Sequence, residues 1–185
     1  NIFGQGELDP SQPPTYGEIS LQPGFSPNPY VVTVESGNSL DVWNMNISGA
    51  SGYCGGYAES APTLRVYWSG SAEQLSFAFV DNLNGDTTMV VLDPLGQYWC
   101  NDDSNSSLNP TVYVFNPAPG AYNIWVNSYG RGQNHRGPLS VTDVASATLD
   151  PDLTPIYGSV NLQGGFSPDP YQVEITTGGP VDVRS

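Results

Sequence analysis

An all-β sandwich of the jelly-roll type is what this sequence predicts, on three observations. Apolar residues recur with period 2 in stretch after stretch. Gly (21 residues) and Pro (17 residues) break those stretches up densely, giving turns about every 8–12 residues, as in strand-and-turn architectures. No window carries the i, i+3, i+4 spacing of an amphipathic helix.

In chain order the strands fall as follows. Residues 18–22, 30–36 and 39–43 are the first three. Residues 63–68 put Leu64, Val66 and Trp68 on one face, and residues 74–80 do the same with Leu75, Phe77 and Phe79. Asn84-Gly85 is a hairpin-type dipeptide leading into residues 87–92, where Met89 and Val91 alternate with Val90 and Leu92. Residues 111–115 and 121–127 flank the turn NPAPG, and residues 138–144 complete the set. About eight strands of this kind make a two-sheet sandwich.

The opening of the chain returns near its end. Residues 8–44 align without a gap on residues 149–185 at an offset of 141, with 18 of 37 positions identical, including the run GFSP(N/D)PY. Residues 45–148 have no second copy. The organisation expected is an extended segment over 1–14, a sandwich unit over 15–148, and a partial second repeat over 149–185. The DP…PP stretch that opens each copy reads as a semi-rigid spacer, because Pro cannot donate to a ladder. Strands cut from a sandwich leave backbone groups unpaired and an apolar face bare. Phe166, Tyr171, Val173 and Ile175 are therefore the residues expected to form an assembly joint, matching Phe25, Tyr30, Val32 and Val34 of the first copy.

Charge narrows the function classes. Four basic residues, all Arg, face 18 acidic ones, for a formal charge of −14. No basic stripe for nucleic acid or anionic lipid can be assembled from them. No run approaches the roughly 18 apolar residues of a membrane helix. The chain begins at Asn1 with no signal-peptide pattern, as expected of a processed, secreted product. Cys54 and Cys100 are the only cysteines. Their spacing excludes a CxxC motif, leaving one disulfide as the expectation and two reduced thiols of an intracellular chain as the alternative. Asn46 and Asn105 begin glycosylation-type sequons, NIS and NSS.

Catalytic signatures are absent: there is no G-x-S-x-G, H-E-x-x-H or P-loop. The single histidine, His135, lies in the Gly-rich stretch YGRGQNHRG and reads as solvated. The aromatics Tyr53, Tyr57, Trp68, Tyr98, Trp99, Trp125 and Tyr129 supply either core packing or a sugar-stacking platform. Asp86, Asp93, Asp102 and Asp103 gather around two strand ends. Such a set suits a calcium ion, which takes six to eight hard oxygens. It equally suits Asp-rich turns, in which Asp bonds its own backbone.

One run carries a resemblance. It contains Asp86, the D-P-L-G turn at 93–96, the Asp-rich Asn101, Asp102 and Asp103, the P-G-A-Y turn at 119–122 and the strand residues 124–126. With the upstream CGGY (54–57) and APTLRVYW, residues 50–132 resemble the pre-peptidase C-terminal domain family of bacterial secreted proteins. The resemblance implies a jelly-roll sandwich, secretion, a non-catalytic role, and calcium at Asp86, Asp93, Asp102 and Asp103. The chain departs from that family in carrying no peptidase domain and in repeating its opening, which favours assembly. The function expected is an extracellular structural subunit joined head to tail into a filament or surface fibre, with copies of itself or further repeats as partners. The alternative is a calcium-dependent module that binds carbohydrate or protein.

Overall fold

Thirteen strands can be followed in the computed structural model, which describes residues 6–83, 85–145, 159–165, 167–168, 170 and 172–174. They are β1 (Glu18–Leu21), β2 (Tyr30–Ser36), β3 (Leu40–Asp41), β4 (Ser48–Gly49), β5 (Gly52–Tyr53), β6 (Tyr57–Ala58), β7 (Leu64–Trp68), β8 (Ala72–Phe79), β9 (Thr87–Leu92), β10 (Tyr98–Asn101), β11 (Thr111–Phe115), β12 (Gly120–Ser128) and β13 (His135–Ala145). A single turn of 3-10 helix, Trp43–Met45, follows β3, and no α-helix occurs among the described residues.

Eight of these strands make two antiparallel sheets. One runs β2-β13-β8-β11, the other β7-β12-β9-β10. Apart from the β9–β10 hairpin, successive strands of the eight alternate between the sheets in the two-Greek-key order of a jelly roll, so the expected fold is the fold found. The hairpin expected at Asn84-Gly85 does not form. β8 pairs with β11 and β13, whereas β9 pairs with β10 and β12, so the connection crosses from one sheet to the other. β1 adds a parallel edge strand beside β7, with Ile19 opposite Val66.

Period-2 alternation builds the main core. The inward set of β7 and β8 (Leu64, Val66, Trp68, Leu75, Phe77 and Phe79) is buried together with Val34, Met89, Tyr122, Ile124, Leu139 and Val141. Each such side chain contributes roughly 1.5–3 kcal/mol when fully buried. β9 and β12 break the alternation because they are buried on both faces. Their second face, Val90 and Trp125, packs with Leu8, Val42, Cys54, Ala58 and Cys100 in a separate cluster on the outer side of the sheet. Trp125 lies opposite Val90 in the register. The β4–β5 hairpin and the N-terminal segment form this third layer.

Residues 6–14 therefore do not behave as a spacer. Leu8 is buried, the Asp9 amide donates to the Ser60 carbonyl, and the Thr15 amide donates to Pro62. Arg65 fastens the segment from beneath. Its guanidinium donates to the carbonyls of Pro10 and Gln12, to Asn123 and to the Glu18 carboxylate. Pro lacks a donor but keeps its acceptor, and a largely buried Arg with five donors takes up acceptors of this kind. The chain divides into two compact units, Asn1–Ala145 and Ser146–Ser185.

Candidate metal centre and repeat segment

Antiparallel pairing of β9 and β10 aligns Asn101 with Met89. The residue before β9 and the residues after β10 are thereby brought to the same end of the sheet. Asp86, Asp102 and Asp103 each offer a carboxylate oxygen there, all within 4.8 Å of one another. The loop behind them is pinned from within. The Asn101 side chain accepts from the Thr111 amide at 2.9 Å and from the Ser104 hydroxyl at 2.7 Å, while Ser104 and Ser107 exchange backbone bonds.

Crowding acids in a partly dry corner has an electrostatic cost. Burial first, then the charges of Asp103 and Asp86, push the Asp102 carboxyl up to about 6. Asp86 is raised by burial and by Asp103, against a lowering contribution from His135. One oxygen of Asp86 and one of Asp102 are buried without a hydrogen-bond partner. An unpaired buried acceptor costs about 1–3 kcal/mol, more when charged. A divalent cation bound by these hard oxygens, with water or backbone carbonyls completing the shell, would remove both the repulsion and the vacancy in hydrogen bonding.

The fourth predicted ligand, Asp93, does not join them. It follows β9 at the opposite end, and its carboxylate is committed to building a turn. Oδ1 accepts from the amides of Leu95 and Gln97, and Oδ2 from the Trp99 indole, each at 2.9 Å. Two other residues escaped the sequence reading. Asp81 is buried and accepts from the amides of Leu83 and Gly85, drawing the β8–β9 crossing into a tight bend. His135 opens β13 and is not solvated. Its side chain is 14% exposed, with Nδ1 at 3.7 Å from Asp81 and Nε2 buried without a partner. The signal available for Asp81 was an acid ending an apolar strand just before an Asn/Gly turn.

Cys54 and Cys100 form the expected disulfide, tying the third layer to β10. Asn46 and Asn105 are both exposed, each with a positive φ. Trp68 and Trp125 are buried and Trp125 donates to the Ser60 carbonyl, so neither is available to stack on a sugar. No helix among the described residues is long and apolar enough to cross a membrane. Comparison with family models, curated proteins and solved structures finds no match.

Of the four expected joint residues, Phe166, Tyr171 and Ile175 lie outside the described residues. Val173 is described, is exposed and belongs to no strand. The contrast with the first copy is sharp. Leu21 is 8% exposed on β1, and its counterpart Leu162 is 45% exposed. Ile19 and Val32 pack against the main core, whereas Val160 and Val173 are each 53% exposed.

Proposed function

We propose that this protein is a non-catalytic module of an extracellular structural fibre or surface layer, in which jelly-roll sandwiches are joined in series. Residues 149–185 then serve as the opening strands of the following sandwich, as residues 8–44 serve in this one. The observation that carries the reading is the paired burial. Leu162 repeats Leu21 at an aligned position but leaves to solvent the apolar surface that Leu21 hides. Apolar side chains patterned for a sandwich gain burial energy only when the rest of a sandwich closes over them. The disulfide agrees with an oxidising compartment. Calcium held by Asp86, Asp102 and Asp103 stabilises each module through binding to the folded state alone.

Hydrogen exchange tests the serial reading. The amides of residues 159–165 and 172–174 should be protected in the native extracellular assembly and exchange freely in the isolated chain. Equal exchange in both would remove it. Negative-stain images of the assembly with and without a chelator should show fibres that lose order when the cation is withdrawn.

A further inference from the structure

The two copies of the repeated segment differ in a patterned way. Among the described residues, six side-chain-to-side-chain polar bonds link residues 8–44 to the rest of the first unit: Gln12–Ser60, Thr15–Glu59, Glu18–Arg65, Asn28–Asp143, Glu35–Asn134 and Asn38–Glu59. In the second copy the residues contributed by the segment are Leu153, Ile156, Ser159, Asp169, Thr176 and Gly179. All six have changed, although half the aligned positions are identical. Among the positions kept are apolar ones and ones that serve the backbone. Leu21, Phe25, Tyr30 and Val32 recur unchanged, as does Gly37, where φ is +95° and a Cβ would collide with the Gln133 carbonyl. Tyr16, whose hydroxyl accepts from the Glu35 amide, recurs as Tyr157.

Resting on the serial reading above, we infer that residues 149–185 are addressed to a sandwich of the same topology but different surface chemistry, and not to a second copy of this chain. Two positions enforce the exclusion. Asp143 is buried on β13, with one oxygen accepting from Asn28 Nδ2 at 2.7 Å and the other from the Gly24 amide at 2.9 Å. Asp169 in the Asn28 position removes a donor and brings a second carboxylate to a buried one, and like charges there disfavour ionisation of both. Arg65, with a side chain only 11% exposed, is paired by Glu18. Ser159 in that position leaves a largely buried cation with neutral acceptors only, a loss tempered by the 44% exposure of the Glu18 side chain. The proper acceptor therefore carries a hydrogen-bond donor or a cation where this unit has Asp143. It has no buried cation where this unit has Arg65, and apolar surface for Leu153 and Ile156 where this unit has Ser60 and Glu59. Modules of the array are thus ordered by sequence, with the shared apolar residues supplying adhesion and the polar residues supplying choice.

The test is a segment exchange in the full chain: residues 8–44 replaced by the sequence of residues 149–185, compared with the parent in urea unfolding. Losing two hydrogen bonds to charged groups lowers the folding equilibrium constant on the order of 100-fold. A second graft carrying Ser159→Glu and Asp169→Asn should recover at least about tenfold of that loss. An unmodified graft within about threefold of the parent overturns the inference, as does a corrected graft that folds no better than the unmodified one, including the case in which neither folds. Either result leaves the hydrogen-exchange comparison standing, whereas equal exchange there removes the serial reading itself.

Discussion

Asp102→Asn should stabilise the protein when no divalent cation is present and cost it the cation's stabilisation when one is. The Asp102 carboxyl is moved from 3.8 to about 6, chiefly by burial and then by Asp103 and Asp86. A folded-state value above the unfolded one means the native protein holds this proton more tightly. The associated stability is complete below about pH 4 and is lost as pH rises through about 6. At 1.36 kcal/mol per unit the shift would be worth near 3 kcal/mol, and solvent screening of a partly exposed group reduces that to about 1 kcal/mol. In chelator, then, the parent should lose about 1 kcal/mol between pH 4 and 7, and Asp102→Asn should lose less. For a domain of this size that is a difference of roughly 2–4 °C in Tm. Calcium, if held by these carboxylates, should reverse the slope, because protons and cation would compete for the same oxygens. At a hundred times its Kd it should add about 2.7 kcal/mol to the parent and far less to the variant. Differential scanning calorimetry across pH 4–7, with calcium and with chelator, gives all four curves. Equal stabilisation of both proteins by calcium, or a variant less stable than the parent in chelator at pH 7, would refute the reasoning.

Three further outcomes follow from the packing. Leu21→Ala should cost about 2–4 kcal/mol in urea unfolding by opening a cavity at a buried site, while Leu162→Ala in the same chain should change stability by less than about 0.5 kcal/mol. Arg65→Met should destabilise by roughly 2–3 kcal/mol, since it releases Asn123, Glu18 and the carbonyls of Pro10 and Gln12 together; limited proteolysis should then cut within residues 6–17. Replacing Cys54 and Cys100 together by Ser should cost about 4 kcal/mol on the chain-entropy model for a separation of 46 residues, and a reducing agent should reproduce that loss in the parent but not in the double variant.

How far the sequence spoke depended on the range of the physics involved. Period-2 alternation is local, so β7, β8 and β11 were legible from Leu64, Leu75 and Val112 and their spaced partners. The third layer was not, because nothing near Cys54, Val42 or Leu8 in sequence says that Trp125 and Val90 need covering. A hint existed in the unbroken apolar run Met89–Val90–Val91, which signals a strand buried on both faces. The acid cluster was partly legible. Asp102 and Asp103 meet Asp86 because two antiparallel strands fold back, a relation that clustering along the chain anticipated. Asp93 failed for the converse reason, since the strand between it and Asp86 carries it about 23 Å away at 3.3–3.4 Å per residue. The Asn84-Gly85 dipeptide suggested a hairpin, and the apolar faces on either side of it belong to different sheets. Turn chemistry reports a local reversal but not which sheet receives the next strand.

The disulfide has a mechanical side as well. Joining Cys54 to Cys100, it encloses β6, β7, β8 and β9 within a closed covalent loop. If tension along a fibre pulled a module apart, those strands could lose their pairing but could not pay out, and the slack withheld amounts to roughly 150–165 Å per module at the reach of an extended chain. An oxidised fibre would stretch in short, recoverable steps, and a reduced one would run long.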